Sequence, residues 1–258
     1  MRTLLTLLFL ISLVFPALGK DYLIQALENA HASFRTATNS AMYAEAAQQY
    51  ESLIHEEGIH NGHLFYTTGN SWFMAGDVGR AILNYRRAEP FIPKDPDLKQ
   101  NLNAARELKT DLIPEKEPHP LAARLLGWHF GTSTQVRWML FSFAWIACWG
   151  LLYWALRSAR KEAKGGAAVT GILALALLLS LIAESSMNRR ADPGVITAYE
   201  VVARKGDGPM YAPAFLDPLH SGTEFQSLET RGKWRHIRLA DGQTCWIPTS
   251  AGETVAIK

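Results

Sequence analysis

Three histidines with neighbouring carboxylates carry residue types that suit a metal ion. His55, His60 and His63 lie near Glu56 and Glu57, and imidazole and carboxylate groups together suit zinc. The same segment contains two glycines, and no rigid helical spacing fixes its histidines relative to one another. We therefore interpret them as solvated loop residues, and we predict neither a metal centre nor a cofactor.

The other reactive side chains form no recognisable catalytic set. Gly69-Asn70-Ser71 lacks the later glycine of a nucleophile elbow, and no glycine-rich phosphate loop is present. Cys148 and Cys245 lie far apart without metal-ligand spacing, which predicts two small apolar fillers and no disulfide. These patterns favour an interaction protein over an enzyme. A hydrolase is the remaining alternative, and it would require measurable turnover by the detergent-purified protein.

Composition restricts the class of partner. The chain has 258 residues, of which 48% are hydrophobic, and a formal net charge of +2. That length has room for two small folded domains beside a membrane segment. A nearly neutral chain without a basic stripe is not expected to bind nucleic acid.

Two uncharged runs predict a helical hairpin that crosses a membrane twice. Residues 138–156 contain no charge, and a helix of that length covers a hydrocarbon core of about 30 Å. Trp138 at one end and Tyr153 and Trp154 at the other suit the membrane interfaces. Residues 167–183 form the second run, and 157–166 the loop between them. The alternative is a pair of soluble core helices, which would normally show a polar stripe.

The amino terminus and the loop charges predict the topology. Residues 1–19 have the basic start, apolar run and small residues of a secretory signal peptide, cleaved after Gly19. An uncleaved anchor is the alternative. Arg157, Arg160, Lys161 and Lys164 place the loop in the cytoplasm by the positive-inside rule. Residues 20–137 and 184–258 would then both face the periplasm of a bacterial inner membrane.

Residues 20–114 carry an internal repeat. A shift of 35 residues places Ala46 on Ala81 and Tyr50 on Tyr85. Small residues at 69 and 81 let paired helices approach, and Trp72 and Tyr85 fill the space between them. The unit resembles a tetratricopeptide repeat at the following positions: Gly69, Trp72, Gly76, Ala81, Tyr85, Ala88 and Pro93. The resemblance implies an all-α repeat array, closed by a terminal helix over 96–109 with Leu98, Leu102, Ala105 and Leu108 on one face.

In that family the first helices of the repeats line a groove. Projected onto this chain, the geometry assigns six residues to the groove, namely His31, Arg35, His63, Tyr66, Asn70 and Phe73. Only Arg35 and Asn70 hint at the basic clamp that some relatives use for a C-terminal carboxylate, so we do not predict that specificity. With few repeats, dimerisation or partner contacts are expected to add stability, and an oligomer is possible.

Two short segments flank the hairpin. Residues 115–137 begin with a proline-rich connector and continue into an apolar stretch with Trp128 and Phe130. That stretch is too short to span, so we expect it to lie at the membrane surface, with a plain packing helix as the alternative. Residues 184–194 are predicted to be a tether to the last domain.

The periodicity changes to alternation in residues 195–258. Short strand-like runs are separated by Arg231-Gly232 and Asp241-Gly242, which sit where hairpin turns belong. Residues 231–248 resemble the bacterial SH3 family, with Cys245 where that family usually has glycine. The resemblance implies a small all-β SH3-like barrel. Tyr211, Trp234 and Trp246 are candidates for an aromatic partner surface, although one or both tryptophans could instead belong to the core.

The order of these segments resembles the BatE-type proteins of bacterial aerotolerance operons. The fold class is therefore predicted to be a multidomain membrane protein with a repeat array, a transmembrane hairpin and an SH3-like barrel. The resemblance implies partnership with membrane-anchored von Willebrand A-domain proteins and a MoxR-type ATPase, in tolerance of envelope stress. The first hypothesis is a non-enzymatic periplasmic scaffold. The alternative is a cell-wall sensor whose barrel binds peptidoglycan peptides and whose repeats recruit a wall enzyme.

Overall fold

The computed structural model describes residues 22–115, 131–158, 161–190 and 192–257. Contacts divide the chain into two compact units. The first joins the residues up to Pro114 with those from Asp192 onward, and the second lies between Glu115 and Ala191. The predicted signal peptide (1–19) and the predicted interfacial stretch around Trp128 lie outside the described residues.

Within residues 22–115 the structure describes five helices, and side-chain caps explain where four of them begin. Asn39, Asn61, Asp77 and Asp95 each accept a hydrogen bond from a first-turn backbone N–H. Gly76 ends the third helix in a left-handed conformation with φ of 86°. The helices are α1 (22–36), α2 (Ser40–His55), α3 (Gly62–Ala75), α4 (Val78–Ala88) and α5 (Pro96–Glu107).

The predicted packing roles of the repeat residues are confirmed. A Cβ at Gly69 would lie 2.6 Å from the ring of Tyr85, so only glycine lets α3 approach α4 this closely. Trp72 and Tyr85 are buried in the helical core, and Gly76-Asp77 makes the turn between the helices. Successive helices pack on each other from α2 to α5. This gives a stack of helical hairpins with one continuous core.

The terminal helix differs from the prediction at its end. Leu98, Leu102 and Ala105 are buried as expected, but Leu108 is exposed. The reason is that α5 ends at Glu107 and Leu108 is its C-cap, outside the regular turn that would place it on the buried face.

The residues after the hairpin form an open antiparallel sheet, not a closed barrel. Five strands run in the order β6-β5-β4-β1-β7, and β2 and β3 form a separate pair. A 3₁₀ turn, Thr249–Ala251, precedes the last strand. The strands are β1 (Asp192–Ile196), β2 (Glu200–Val201), β3 (Leu219–His220), β4 (Glu224–Arg231), β5 (Trp234–Arg238), β6 (Thr244–Pro248) and β7 (Gly252–Thr254).

Both predicted hairpin turns are confirmed. Gly232 joins β4 to β5 with φ of 55°, and Gly242 lies between β5 and β6 with φ of 87°. Positive φ is accessible to glycine without strain, which is why glycine occupies both turns.

Strand β1 joins the helical segment to the sheet. Val195 is buried in the helical core, whereas its neighbour Ile196 is buried in the core of the sheet. Successive strand residues point to opposite faces, so one strand supplies both cores. In return, Ile113 from the end of the helical segment packs on the sheet core, and Val255 and Ile257 pack on the helical core.

Helices and sheet approach closely at Gly79 of α4. A Cβ built there would lie 2.3 Å from Ser221 Oγ and 2.6 Å from the carbonyl oxygen of Ile196. Backbone therefore meets backbone at this point, and no side chain larger than hydrogen fits without displacement.

The second unit contains two long apolar helices, α6 (Thr134–Ser158) and α7 (Lys161–Arg190), packed on each other. Alanines and leucines of both helices form the contact, including Ala144, Ala155, Ala167 and Leu177. Only 11% of the apolar window of α6 and 28% of that of α7 is buried. Core helices of a soluble protein would be mostly buried, so the outward faces fit lipid. By length and composition both helices can cross a membrane.

The helix boundaries differ from the sequence prediction. Residues 157–166 are expected as a loop, but α6 runs to Ser158 and α7 begins at Lys161. Residues 184–194 are expected as a tether, but α7 continues to Arg190 and β1 begins at Asp192. Charge marks where an apolar run stops, whereas a helix continues as long as its backbone hydrogen bonds do.

Replacing Gly79 tests the contact between helices and sheet. Gly79→Ala is expected to destabilise the first unit by about 1–3 kcal/mol, because the added methyl group overpacks the contact with Ser221 and Ile196. Thermal unfolding of the detergent-purified chain measures this loss of stability. In an unobstructed helix the same change stabilises by up to about 1 kcal/mol. Gly165→Ala in α7, where the added Cβ meets nothing within 4 Å, is the control. Equal effects of the two changes would contradict the tight contact.

Candidate partner-binding surfaces

A cleft of about 260 Å³ lies between α1 and α3. Its lining is mostly apolar and includes Leu23, Leu27 and Leu64. His31 and His63, two of the predicted groove residues, lie on its α1 and α3 sides. The helices α1 and α3 are the first helices of the two predicted repeats, so the cleft lies where the projected groove is expected.

His31 is held in place by a buried tyrosine. Its Nδ1 lies 2.7 Å from the hydroxyl of Tyr50, and the two rings meet edge to face with centroids 5.4 Å apart. Burial raises the pKa of Tyr50 to about 12, against a smaller lowering by the charge of Arg35. Tyr50 therefore remains a neutral phenol at physiological pH. The imidazole is fixed at the cleft wall, while Arg35 is exposed on the same helix.

Two other predicted groove residues are engaged within the helical segment. The amide of Asn101 on α5 donates to the hydroxyl of Tyr66 at 2.9 Å and to Oδ1 of Asn70 at 3.0 Å. Asn70 Oδ1 also accepts from the hydroxyl of Tyr85 at 2.8 Å. The polar side-chain atoms of Tyr66 and Asn70 are thus engaged by the terminal helix α5. Phe73, half-buried, packs against the helical core.

Among the three predicted aromatics of the sheet segment, Trp246 is largely covered. It is 7% exposed. His236, its cross-strand partner, stacks on it with ring centroids 4.7 Å apart and planes 10° apart. The guanidinium of Arg231 lies 5.1 Å from its ring centroid. Trp246 therefore offers a partner little of its surface.

Trp234 and Tyr211 are less covered than Trp246. Trp234 is half-buried and pairs with Pro248 across β5 and β6. Tyr211 is 51% exposed, and its ring lies against Gly206, where a Cβ would come within 2.5 Å. Arg204 donates to its carbonyl oxygen at 2.8 Å. Tyr211 is therefore the most exposed of the three aromatics, and these contacts hold its conformation.

A polar cluster that was not predicted from the sequence joins the chain after α5 to the sheet segment. Asp111 accepts hydrogen bonds from the backbone N–H of His220 at 2.7 Å and from the hydroxyl of Thr223, and its Oδ1 lies 2.7 Å from His220 Nδ1. Burial raises the pKa of Asp111, but the bonds from His220 and Thr223 outweigh it, so the pKa is lowered. The ionised carboxylate is the form that ties the two segments together.

Ion pairs reinforce this junction. The guanidinium of Arg106 meets Glu224 with two bonds of 2.8 Å. Burial raises the pKa of Glu224. The hydrogen bonds and the charge interaction with Arg106 lower it by more, so the net shift of the pKa is downward. Arg87, nearly buried, donates to Glu253 at 3.0 Å and to the carbonyl oxygen of Thr254 at 3.1 Å. Bidentate, partly buried pairs of this kind are stronger than surface pairs.

No sequence signal indicates these partners. Asp111 and His220 are 109 positions apart with the hairpin between them, and neither belongs to a motif. The predicted separation of the chain into two modules gives no reason to pair them.

In the described residues, no group of three His, Cys, Asp or Glu side chains is placed to hold a metal ion. His60 lies beside the ring of Phe65 with centroids 6.2 Å apart. Cys245 is buried in the sheet core, and this burial, with a contribution from Asp241, raises its pKa to about 12. Its thiol is therefore protonated and inert at neutral pH.

Comparison of the chain with models of protein families, with curated proteins and with solved structures found no match. The candidate surfaces therefore rest on geometry alone.

The lowered pKa of Asp111 predicts a pH dependence. An ionised carboxylate with a lowered folded-state pKa stabilises the first unit fully above its unfolded value of about 3.9, and this contribution is lost as the pH falls through the folded value. The free energy of unfolding should thus fall as the pH drops from about 5 to below 3. Asp111→Asn should lower it by about 1–3 kcal/mol at pH 7 and make the acid dependence shallower.

Unfolding of the full chain in detergent, followed against pH, measures both effects. Asp217→Asn, at an exposed aspartate of the same segment, is the control and should leave the curve unchanged. An unaltered acid dependence in Asp111→Asn would contradict the role given to this carboxylate.

Proposed function

We propose that the chain is a non-enzymatic adaptor anchored in a bacterial inner membrane, with a tetratricopeptide-repeat array and an SH3-like segment that bind protein partners. The cleft between α1 and α3 is the observation that carries this proposal. It is apolar, open and lined by residues of both first helices. An apolar side chain of a partner helix or extended segment would bury its surface there.

The packing of Gly69 against Tyr85 and the turn at Gly76-Asp77 support the repeat assignment. The antiparallel order of the strands, the two glycine turns and the 3₁₀ turn before β7 support an SH3-like segment, left open at its edges. In the described residues, the mainly apolar lining of the cleft favours binding over catalysis.

The first unit supports a topology in which its two stretches of chain lie on one side of the membrane. Residues before and after the hairpin belong to one compact unit, which favours an even number of crossings between them. The cations at 157, 160, 161 and 164 favour a cytoplasmic turn. We therefore assign the first unit to the periplasm.

The order of segments suggests the physiological partners. By its resemblance to BatE-type proteins, we propose that the adaptor assembles with membrane-anchored von Willebrand A-domain proteins, in a complex that a MoxR-type ATPase serves during envelope stress. A helical cleft and a membrane anchor suit such an assembly, because both partners would be confined to the same membrane surface.

One observation favours the cell-wall alternative. Tyr211 is exposed and held against Gly206, and a fixed aromatic ring is a suitable platform for a wall peptide or glycan. Retention of the purified full chain on peptidoglycan, lost in Tyr211→Ala, would favour a wall sensor over the adaptor.

Photocrosslinking in the native membrane tests the adaptor function. A photoreactive residue at Thr67, which lines the cleft, should capture a von Willebrand A-domain membrane protein, identified by mass spectrometry. The same residue at Gln48, an exposed position on α2 outside the cleft, should capture none. Capture of a wall enzyme at Thr67 would favour the alternative. Equal capture at both positions, or none at either, would contradict the cleft as a partner site.

A further inference from the structure

We propose that a second cleft, between the helical segment and the sheet segment, binds a lysine or arginine side chain of a partner peptide. This cleft has a volume of about 380 Å³, within the roughly 300–1,000 Å³ of small-molecule sites. Its walls are the turn between α3 and α4, the chain after α5, and the loops after β1 and β3. It shares no lining residue with the cleft between α1 and α3.

The polar groups of this junction cleft favour a cation. Asp77 supplies a carboxylate, and Thr110, Thr197 and Ser221 supply hydroxyl oxygens that accept hydrogen bonds. No lysine or arginine is among its described lining residues.

Arg80 is a competing cation, and it engages the carboxylate of Asp77 only in part: Oδ1 accepts a hydrogen bond from the backbone N–H of Arg80 at 2.9 Å. Arg80 Nη1 lies 3.6 Å from Asp77 Oδ2, long for a charge-assisted bond. Its guanidinium lies over the ring of Trp72, 4.5 Å from the centroid. The side chain of Asp77 remains about a quarter exposed.

The apolar walls suit the stem of a long cationic side chain. Tyr199 is 85% exposed at the cleft, and Leu108 is also exposed there. An ammonium or guanidinium group over a tyrosine ring gains a cation–π interaction, while its methylene groups cover apolar surface. The exposed side chains of Tyr199 and Leu108 thus suit the methylene stem of lysine or arginine, and the carboxylate of Asp77 suits its charged end.

The back of the cleft is pre-organised. His220 lines it, and its Nδ1 and backbone N–H are both held by Asp111. Ser221 is fixed against Gly79 by the contact between helix and sheet. A site whose walls are already ordered loses little conformational entropy on binding.

Peptide titration of the full chain in detergent tests this inference, which does not depend on the adaptor function. The probes are acetyl-Ala-Lys-Ala-amide and the same peptide with norleucine, which keeps the methylene stem without the charge. The lysine peptide is expected to bind saturably with a millimolar dissociation constant, and the norleucine peptide is expected not to bind. Tyr199→Ala and Asp77→Asn should each weaken it about two- to fivefold. The Asp77→Asn variant retains the helix cap, since asparagine caps as well as aspartate.

Two substitutions elsewhere serve as matched controls. Tyr22→Ala removes an exposed tyrosine of α1 outside the junction cleft, and Glu45→Gln removes an exposed carboxylate on α2. Both should leave the affinity for the lysine peptide unchanged. Equal binding of the norleucine peptide, no saturable binding of the lysine peptide, or insensitivity to both Tyr199→Ala and Asp77→Asn would overturn the inference.

Discussion

The contact between residues that precede and follow the two long apolar helices is the constraint on which the rest of the structure depends. At Gly79 the backbone of α4 meets the backbone at the end of β1. Around that point Asp111 binds His220 and Thr223, and Arg106 binds Glu224. These groups are brought together from opposite ends of a long insertion, so a single body must form from two distant stretches of chain.

This arrangement explains why neither segment is an independent module. Val195 of the sheet belongs to the helical core, and Ile113 of the helical segment belongs to the sheet core. Separating the segments would expose apolar side chains from both and leave buried polar groups such as Arg87 without partners. A partner that engages the α1–α3 cleft therefore binds the same compact unit that carries Tyr211 and the junction cleft.

Local features were predictable from the sequence, and long-range ones were not. Gly69, Gly76, Gly232 and Gly242 mark close approaches or turns that need glycine, so their roles could be inferred from spacing alone. The apolar runs of α6 and α7 were evident because charges end them. By contrast, the hydrogen bonds from Asn101 to Tyr66 and Asn70 depend on where α5 packs. The burial of Trp246 beneath His236 depends on the register of the strands. The pairing of Asp111 with His220 has no local signature at all.

A disulfide across the junction tests the central claim most directly. A Cβ at Gly222 would lie 3.3 Å from the Cβ of Lys109, close to the roughly 3.5–4.5 Å of natural disulfides. Because Gly222 has a φ of 92°, which strains any side chain, thermal unfolding of the Gly222→Cys single variant first establishes that it keeps the fold. Lys109→Cys with Gly222→Cys is made in a chain whose Cys148 and Cys245 are replaced by alanine, and each single cysteine serves as a control. After mild oxidation in intact membranes, mass spectrometry should find the peptide linking positions 109 and 222 within one chain. Free thiols, or only links between chains, would contradict the account that the residues before and after the two long helices close on each other in one unit.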